Sequence, residues 1–320
     1  MFMRRFSLLL TLSILAGFAI APAANAATKY KTTVGIGDQS PLMFTNPSFK
    51  ELKLKKVRYF IHWDAIKKDE EIAKADAYVA AARKAKVKVL MHISTNDFTP
   101  KGSKLPSVGT YRSNVGKLIK RYRAKGVTEW GAWNEANHKT QPTWDSPSTA
   151  AKYFLAMRSL CKGCTVVALD ILDQPGDTRY ISRWFKALGR KNLSKVTVVG
   201  IHNYSDTNRS RSTGTSRILK AVKSKTRRAK FWLTETGGLY GFKASNFDCD
   251  PVRQTKSVKY MFTLTKKYRA SISRLYSYNF TGTTPEQCEE GLFDAGLVDS
   301  AGAPRPAFTA FKTAAKDFAR

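Results

Sequence analysis

The sequence predicts an α/β fold in which eight parallel strands close into a (β/α)8 TIM barrel, as a single domain. Three observations carry that expectation. Apolar, β-branched runs alternate with amphipathic helical stretches, the pattern of a parallel sheet covered by helices on its faces. The alternation recurs eight times, the number at which such a sheet closes on itself. No Gly/Ser- or Pro-rich linker divides residues 27–320, a span that suits one barrel of the usual ~250 residues with insertions.

The strands are expected at 33–37, 57–61, 87–93, 128–133, 165–170, 196–202, 230–234 and 273–278. Each is a short, mostly apolar run, and the second carries a cation, Arg58, within it. The helical patterns fall at 72–85, 111–125, 149–160, 179–188, 216–224, 255–267 and 306–318. An open doubly wound sheet is the alternative. It would need a Gly-rich phosphate turn after an early strand, and Gly35-Ile36-Gly37 runs into Asp38 and Gln39 without one.

The first residues stand apart from this pattern. Arg4 and Arg5 precede an apolar run over 7–21, and Ala24-Asn25-Ala26 supplies a small-residue site. That order describes a secretory signal peptide over 1–26, with the barrel over 27–320. An uncleaved anchor is the other reading, but the run is short of the ~20 apolar residues a bilayer span needs. No later segment is apolar enough to cross, so a secreted, extracellular chain is expected, with wall association open.

Four cysteines fit export, where disulfides persist. Cys249–Cys288 is expected to tie two rim loops and Cys161–Cys164 to form a small local bridge, with a redox or zinc Cys-x-x-Cys as the alternative for the latter. The formal net charge is +31, or about +29 without Arg4 and Arg5. The excess is spread over 50–56, 117–123, 217–228 and 256–269. A solvated basic surface accounts for it, and so does attraction to an extracellular polyanion such as an acidic or cell-wall polysaccharide. No compact Arg/aromatic motif points to a specific nucleic acid.

In a barrel, residues at the strand ends share one cleft. The expected set is Asp38 and Gln39; His62, Trp63 and Asp64; Ser94, Asn96 and Asp97; Asn134, Glu135 and Asn137; Asp170 and Asp173; His202, Asn203 and Tyr204; Glu235; and Tyr278 and Asn279. Within it, Trp133-Asn134-Glu135-Ala136-Asn137 and Trp232-Leu233-Thr234-Glu235-Thr236-Gly237-Gly238 each place one glutamate directly after an apolar run. Two carboxylates on different strands are the minimum equipment for breaking a glycosidic bond.

Asn-Glu after the fourth strand and Thr-Glu after the seventh resemble clan A glycoside hydrolases, retaining enzymes on (β/α)8 barrels, and the resemblance spans nearly the whole of 27–320 in strand order. It implies Glu135 as acid/base, Glu235 as nucleophile and Asn134 as the partner of the sugar 2-hydroxyl. It also implies that Arg58, His202 and Tyr204 hold the nucleophile ionised and oriented. Two departures bear on the substrate: Tyr278 stands where clan members often place a Trp, and Asn137-His138 replaces a common Pro. The activity so implied is hydrolysis of O-glycosyl bonds in a polysaccharide, without metal or organic cofactor; a compact barrel with no added β-sandwich suggests an open cleft and cleavage within the chain.

Physical reasoning adds that the carboxyl groups should lie roughly 5–5.5 Å apart. Arg58 and the Tyr204 hydroxyl should favour the ionised nucleophile, while burial and repulsion should keep a proton on Glu135. Several residues are read plainly. Asp64, Asp97, Asp170 and Asp173 are expected to cap helices on βα loops. His62 and His92 pack or touch sugar and lack metal-ligand spacing. Trp63, Trp144, Tyr240 and Phe242 are candidate stacking platforms. A glycan-binding barrel without turnover and a polysaccharide lyase are the competing functions.

Overall fold

The structure, a computed structural model, describes residues 32–99 and 103–319; the expected signal peptide lies outside these residues. The strands are β1 Thr33–Gly37, β2 Lys56–His62, β3 Lys88–Ser94, β4 Glu129–Gly131, β5 Thr165–Leu172, β6 Val198–His202, β7 Lys230–Thr236 and β8 Ile272–Tyr278. They form a closed barrel in sequence order, and β1 pairs in parallel with both β2 and β8. The helices are α1 Pro47–Leu52, α2 Asp69–Lys84, α3 Val108–Arg123, α4 Pro147–Leu160, α5 Asp177–Leu188, α6 Tyr204–Asn208, α7 Thr213–Lys223, α8 Pro251–Lys267, α9 Pro285–Glu290 and α10 Pro306–Ala319.

All eight strands and seven helices predicted from the sequence are present, and the differences lie at their ends. β4 stops at Gly131, short of the expected 133. Beyond it the chain stays tied to both neighbours as it turns, through Ala132 N to Val167 O (3.1 Å), Asn134 N to Ile93 O (2.8 Å) and Ala136 N to Asp170 O (3.0 Å). β5 and β7 run two residues further than expected, so Asp170 and Glu235 lie inside strands. The short helices α1, α6 and α9 are additions that no long hydrophobic period announces.

The core has two parts. Between strands and helices lies a continuous apolar shell whose largest members include Trp130, Trp184, Tyr111 and Tyr153. Inside the barrel, Leu90, Val167, Val198, Trp232 and Tyr276 form a separate buried cluster. Because side chains alternate along a strand, the positions two residues further on, His92, Gly200, Thr234 and Tyr278, face the same interior one layer nearer the mouth. At the other end Glu129 takes Lys56 at 2.5 Å and Arg274 at 2.7 Å.

The polar layer needs space that only glycine leaves. A Cβ on Gly131 would stand 1.7 Å from the His92 ring, and one on Gly200 would stand 1.9 Å from Asp170 Oδ1. Both expected disulfides are formed. Cys161–Cys164 closes the end of α4 onto β5, and Cys249–Cys288 joins the loop after β7 to α9. Among the described residues no helix is long and apolar enough to cross a membrane.

Candidate active site

The C-terminal ends of the strands surround a cleft of about 800 Å³ whose walls include Asn134, Glu135, Tyr204, Glu235 and Tyr278. Arg58 and His202 lie directly beneath it, 1% and 0% exposed. The structure thus brings together all seven residues singled out from the sequence for this site.

Arg58 is the hub. It donates from Nη1 to Glu235 Oε2 at 2.6 Å, from Nε to His92 Nδ1 at 3.1 Å, and from Nη2 to Asn134 Oδ1. The Tyr204 hydroxyl donates to the other Glu235 oxygen at 2.9 Å. Glu235 is therefore held from both sides, at the end of a strand whose backbone is paired with β6 and β8. Glu135 is placed differently. It follows β4 in a turn with φ 41°, a left-handed conformation uncommon outside glycine. The turn is pinned by His138 N donating to Glu135 O at 2.8 Å.

His202 lies between the two glutamates: Nδ1 is 3.0 Å from Glu135 Oε1 and 3.7 Å from Glu235 Oε2. Nε2 is 2.8 Å from Asp170 Oδ2. One oxygen of each glutamate and an imidazole nitrogen all fall within 4.8 Å of one another. That set could in principle surround a metal ion. Its donors are already engaged, however, and the Arg58 guanidinium beside Glu235 would repel a dication. The donor set does not fit a metal well.

Asp170 corrects the sequence reading. It is no helix cap: it is 1% exposed inside β5, where its register partner on β6 is Gly200. It accepts from the Thr234 hydroxyl, and its Oδ2 lies 3.5 Å from His92 and 3.9 Å from Arg58. A carboxylate two cations and an imidazole deep in a barrel is a charge balance for the site. The signal was present in the sequence as an acid at the end of an apolar run, facing the same interior as Arg58. His92, likewise, is neither apolar packing nor a sugar contact, but the acceptor that orients Arg58.

The electrostatics follow from this arrangement. Burial acts against the charge of His202, yet Asp170 and Glu235 outweigh it and raise its pKa to about 10. Burial lowers His92 to about 3, so its neutral ring can accept from Arg58. Burial pushes Asp170 up, but His202, His92 and Arg58 together hold it well below the usual carboxylate range. Glu135 departs from expectation. Burial raises its pKa, but the hydrogen bond and charge of His202 prevail and lower it. The expected repulsion between the glutamates is screened by the imidazolium placed between them.

The other plainly read residues fall outside the chemistry. Asp173 does cap a helix, from a neighbouring loop: its oxygens accept the Ser205 and Asp206 amides at 3.1 and 2.8 Å, at the start of α6. Burial raises its pKa to about 8. Asp64 and Asp97 are not side-chain helix caps. Asp64 accepts from Asn96 at 2.9 Å, and Asp97 accepts the Thr99 amide at 2.7 Å in a local turn. His62 pairs with Glu71 at 3.4 Å, away from the cleft. Of the four candidate stacking platforms only Phe242 lines the cleft. Trp63 is buried, Trp144 is exposed elsewhere, and Tyr240 lies under Arg305 at 4.0 Å. The aromatic wall that does form joins Phe242 to Phe293 at 5.4 Å and Phe293 to Tyr204 at 5.3 Å. It was not legible beforehand, because Phe293 comes from a distant loop.

No protein-family model and no curated protein sequence matches the chain. Solved structures do. A psychrophilic glycoside hydrolase family 10 endo-β-1,4-xylanase superposes with a TM-score of 0.61 at 14% identity, covering 89% of this chain and 97% of that one. GH5_18 from Streptomyces cattleya, in complex with GlcNAc, gives 0.65 at 13% identity, covering 90% and 80%. Xylanase B from Clostridium stercorarium F9 gives 0.60 at 15%, covering 88% and 96%. At these identities the likeness is one of fold: the chain has the same closed eight-stranded barrel as these glycoside hydrolase structures.

Proposed function

We propose that the protein is a secreted retaining glycoside hydrolase that cleaves O-glycosidic bonds of a polysaccharide by double displacement. The observation that carries the reading is the pair of carboxylates, on the fourth and seventh strand ends, with oxygens within 4.8 Å across one open cleft. An oxygen of each within that limit favours direct attack, for which the carboxyl groups stand ~5–5.5 Å apart, over inversion through a water, for which they stand ~6.5–9.5 Å apart.

In this reading Glu235 attacks the anomeric carbon. Arg58 and the Tyr204 hydroxyl each bond one of its oxygens, which fixes its orientation in the cleft. Glu135 protonates the departing oxygen and then accepts a proton from water in the second step. The lowered pKa of Glu135 in the free site gives His202 a part in this. Its Nδ1, 3.0 Å from Glu135 Oε1, is the nearest proton source for the acid, and Asp170 steadies the imidazole from the other side. Passing the His202 proton to Glu135 moves one charge within the cluster of Arg58, His202, Asp170, Glu135 and Glu235 and leaves its total unchanged. Asn134, whose Oδ1 is held by Arg58, keeps its amide group for the sugar. The two disulfides suit an extracellular enzyme, and the +31 charge favours encounter with acidic or wall-borne glycans.

The test is a panel of polysaccharides with product stereochemistry read by proton NMR. Initial release of the retained anomer, abolished in a folded Glu235→Gln chain, is the expected result. The inverted anomer would remove the double displacement. Binding without turnover would leave a glycan-binding barrel, and unsaturated products absorbing in the ultraviolet would indicate a lyase.

A further inference from the structure

Arg209 and Arg211, on the loop after α6, both line the cleft, and both are exposed. Their guanidinium groups converge on one hydroxyl. Arg211 Nη2 donates to Ser205 Oγ at 2.6 Å, and Arg209 Nη1 donates to the same oxygen at 3.5 Å. Among the described residues Arg209 forms no ion pair; it is stacked 4.9 Å over the Phe247 ring and donates weakly to Ser245 O. Arg211 Nε lies 3.5 Å from Asp206 Oδ1, but Asp206 is fully buried and already accepts the Gly214 and Thr215 amides. The remaining carboxyl nearby, Asp173, is buried beneath the loop with its oxygens on two amides.

We propose that Arg209 and Arg211 form an anion subsite for the carboxylate of an acidic sugar, so that the substrate of the cleft is a uronate-bearing polysaccharide. This rests on the glycosidase reading for the polymer that occupies the cleft. The guanidinium fork matches a planar carboxylate in bidentate fashion, and that match gives geometry as well as charge. The position is apt. Arg209, Arg211 and Ser205 line the same cleft as Glu135 and Glu235, so an acid held by the arginine pair belongs to a sugar unit of the polymer bound there. Phe247 holds Arg209 in place while the face of the cleft stays aromatic.

The experiment is isothermal titration of the Glu235→Gln chain with oligogalacturonate, oligomannuronate, glucuronic-acid-bearing xylo-oligosaccharides and hyaluronan fragments. Xylohexaose, mannohexaose and κ-carrageenan fragments, which carry sulfate and no carboxylate, stand beside them, with carboxyl-reduced forms of the uronates. The expected result is preference for one carboxylate-bearing series. That preference should vanish on carboxyl reduction and weaken roughly 10–100-fold in the Arg209→Ala/Arg211→Ala double variant. A control double variant, Arg227→Ala/Arg228→Ala, removes the same charge just before β7, at the opposite end of the barrel. It should change binding by less than about twofold, because distant surface charge is screened.

Equal loss in both double variants, binding of neutral oligosaccharides as tightly as acidic ones, or no binding of any uronate would overturn the proposal. Arginine-dependent binding of sulfated fragments alone would overturn the carboxylate assignment. Failure of the underlying reading looks different. If uronates bind through the arginines but the unsubstituted chain cleaves no polysaccharide, the subsite stands and hydrolysis falls. If a neutral polysaccharide is cleaved equally by the unsubstituted chain and the Arg209→Ala/Arg211→Ala variant, hydrolysis stands and the subsite falls.

Discussion

Arg58→Met is the most informative single change, because it removes the guanidinium while keeping a side chain of similar reach. Arg58 is 1% exposed and donates to Glu235, His92 and Asn134 at once. In the variant, Glu235 keeps the Tyr204 hydroxyl and a distant imidazole at 3.7 Å, but loses the charged partner at 2.6 Å. Asn134 Oδ1 and His92 Nδ1 lose the donor recorded for them. Breaking a buried ion pair on one side costs about 3–5 kcal/mol, against a total of about 5–15 kcal/mol for a domain. At roughly 2–4 °C per kcal/mol for large domains, the melting temperature should fall by about 6–20 °C.

Urea and thermal denaturation followed by circular dichroism measure this directly. The decisive comparison is Arg58→Met/Glu235→Gln. Removing the stranded carboxylate should recover part of the loss, so that the double variant is more stable than the sum of the singles requires by about 0.5–3 kcal/mol. A loss under about 1 kcal/mol for Arg58→Met, or additivity of the two changes within about 0.5 kcal/mol, would refute the assignment of Arg58 as the charge partner of Glu235.

Four further outcomes are expected. Asp173 keeps its proton in the folded chain up to about pH 8, whereas the unfolded carboxyl loses it near its ordinary value of 3.8. The folded state therefore binds more protons in that window, and stability falls as pH rises through it, by up to about 1.4 kcal/mol per pH unit. Asp173→Asn should flatten this component in melting curves taken from pH 5 to 8; an unchanged slope would count against the buried, protonated carboxyl. Gly131→Ala places a Cβ 1.7 Å from His92 and should cost about 1–3 kcal/mol or more. Gly109→Ala, in α3 with its nearest neighbour 3.8 Å away, should instead stabilise by about 0.5–1 kcal/mol. Replacing Cys249 and Cys288 by serine opens a bridge spanning 39 positions and should lower unfolding free energy by about 2–4 kcal/mol, read by urea titration.

Much of the site was legible because its residue types are conspicuous where they stand. Glu135 and Glu235 follow apolar runs, Arg58 interrupts one, and His202 and Tyr204 straddle the end of another. A barrel gathers strand ends whatever the loops do, so their convergence needed no three-dimensional knowledge beyond the count of strands. Asp170 and His92 were misread for a related reason. Each could be read along the chain as a cap or a packed ring, and it is the inward face of β3 together with the register shift in β5 between Val167 and Asp170 that puts both against Arg58.

The sequence by itself determined the barrel, its strand order and the identity of the central residues, because hydrophobic period and strand-end position are local properties written in the order of residues. Closure decided the rest. Shear and register set which side chains share a layer, and so made His202, rather than mutual repulsion, the group that governs the proton of Glu135. The same closure brought Phe293 against Tyr204 and stood Arg209 and Arg211 around one serine. Electrostatic fields and cleft walls depend on distances across the barrel, and those exist only once all eight strands are in place.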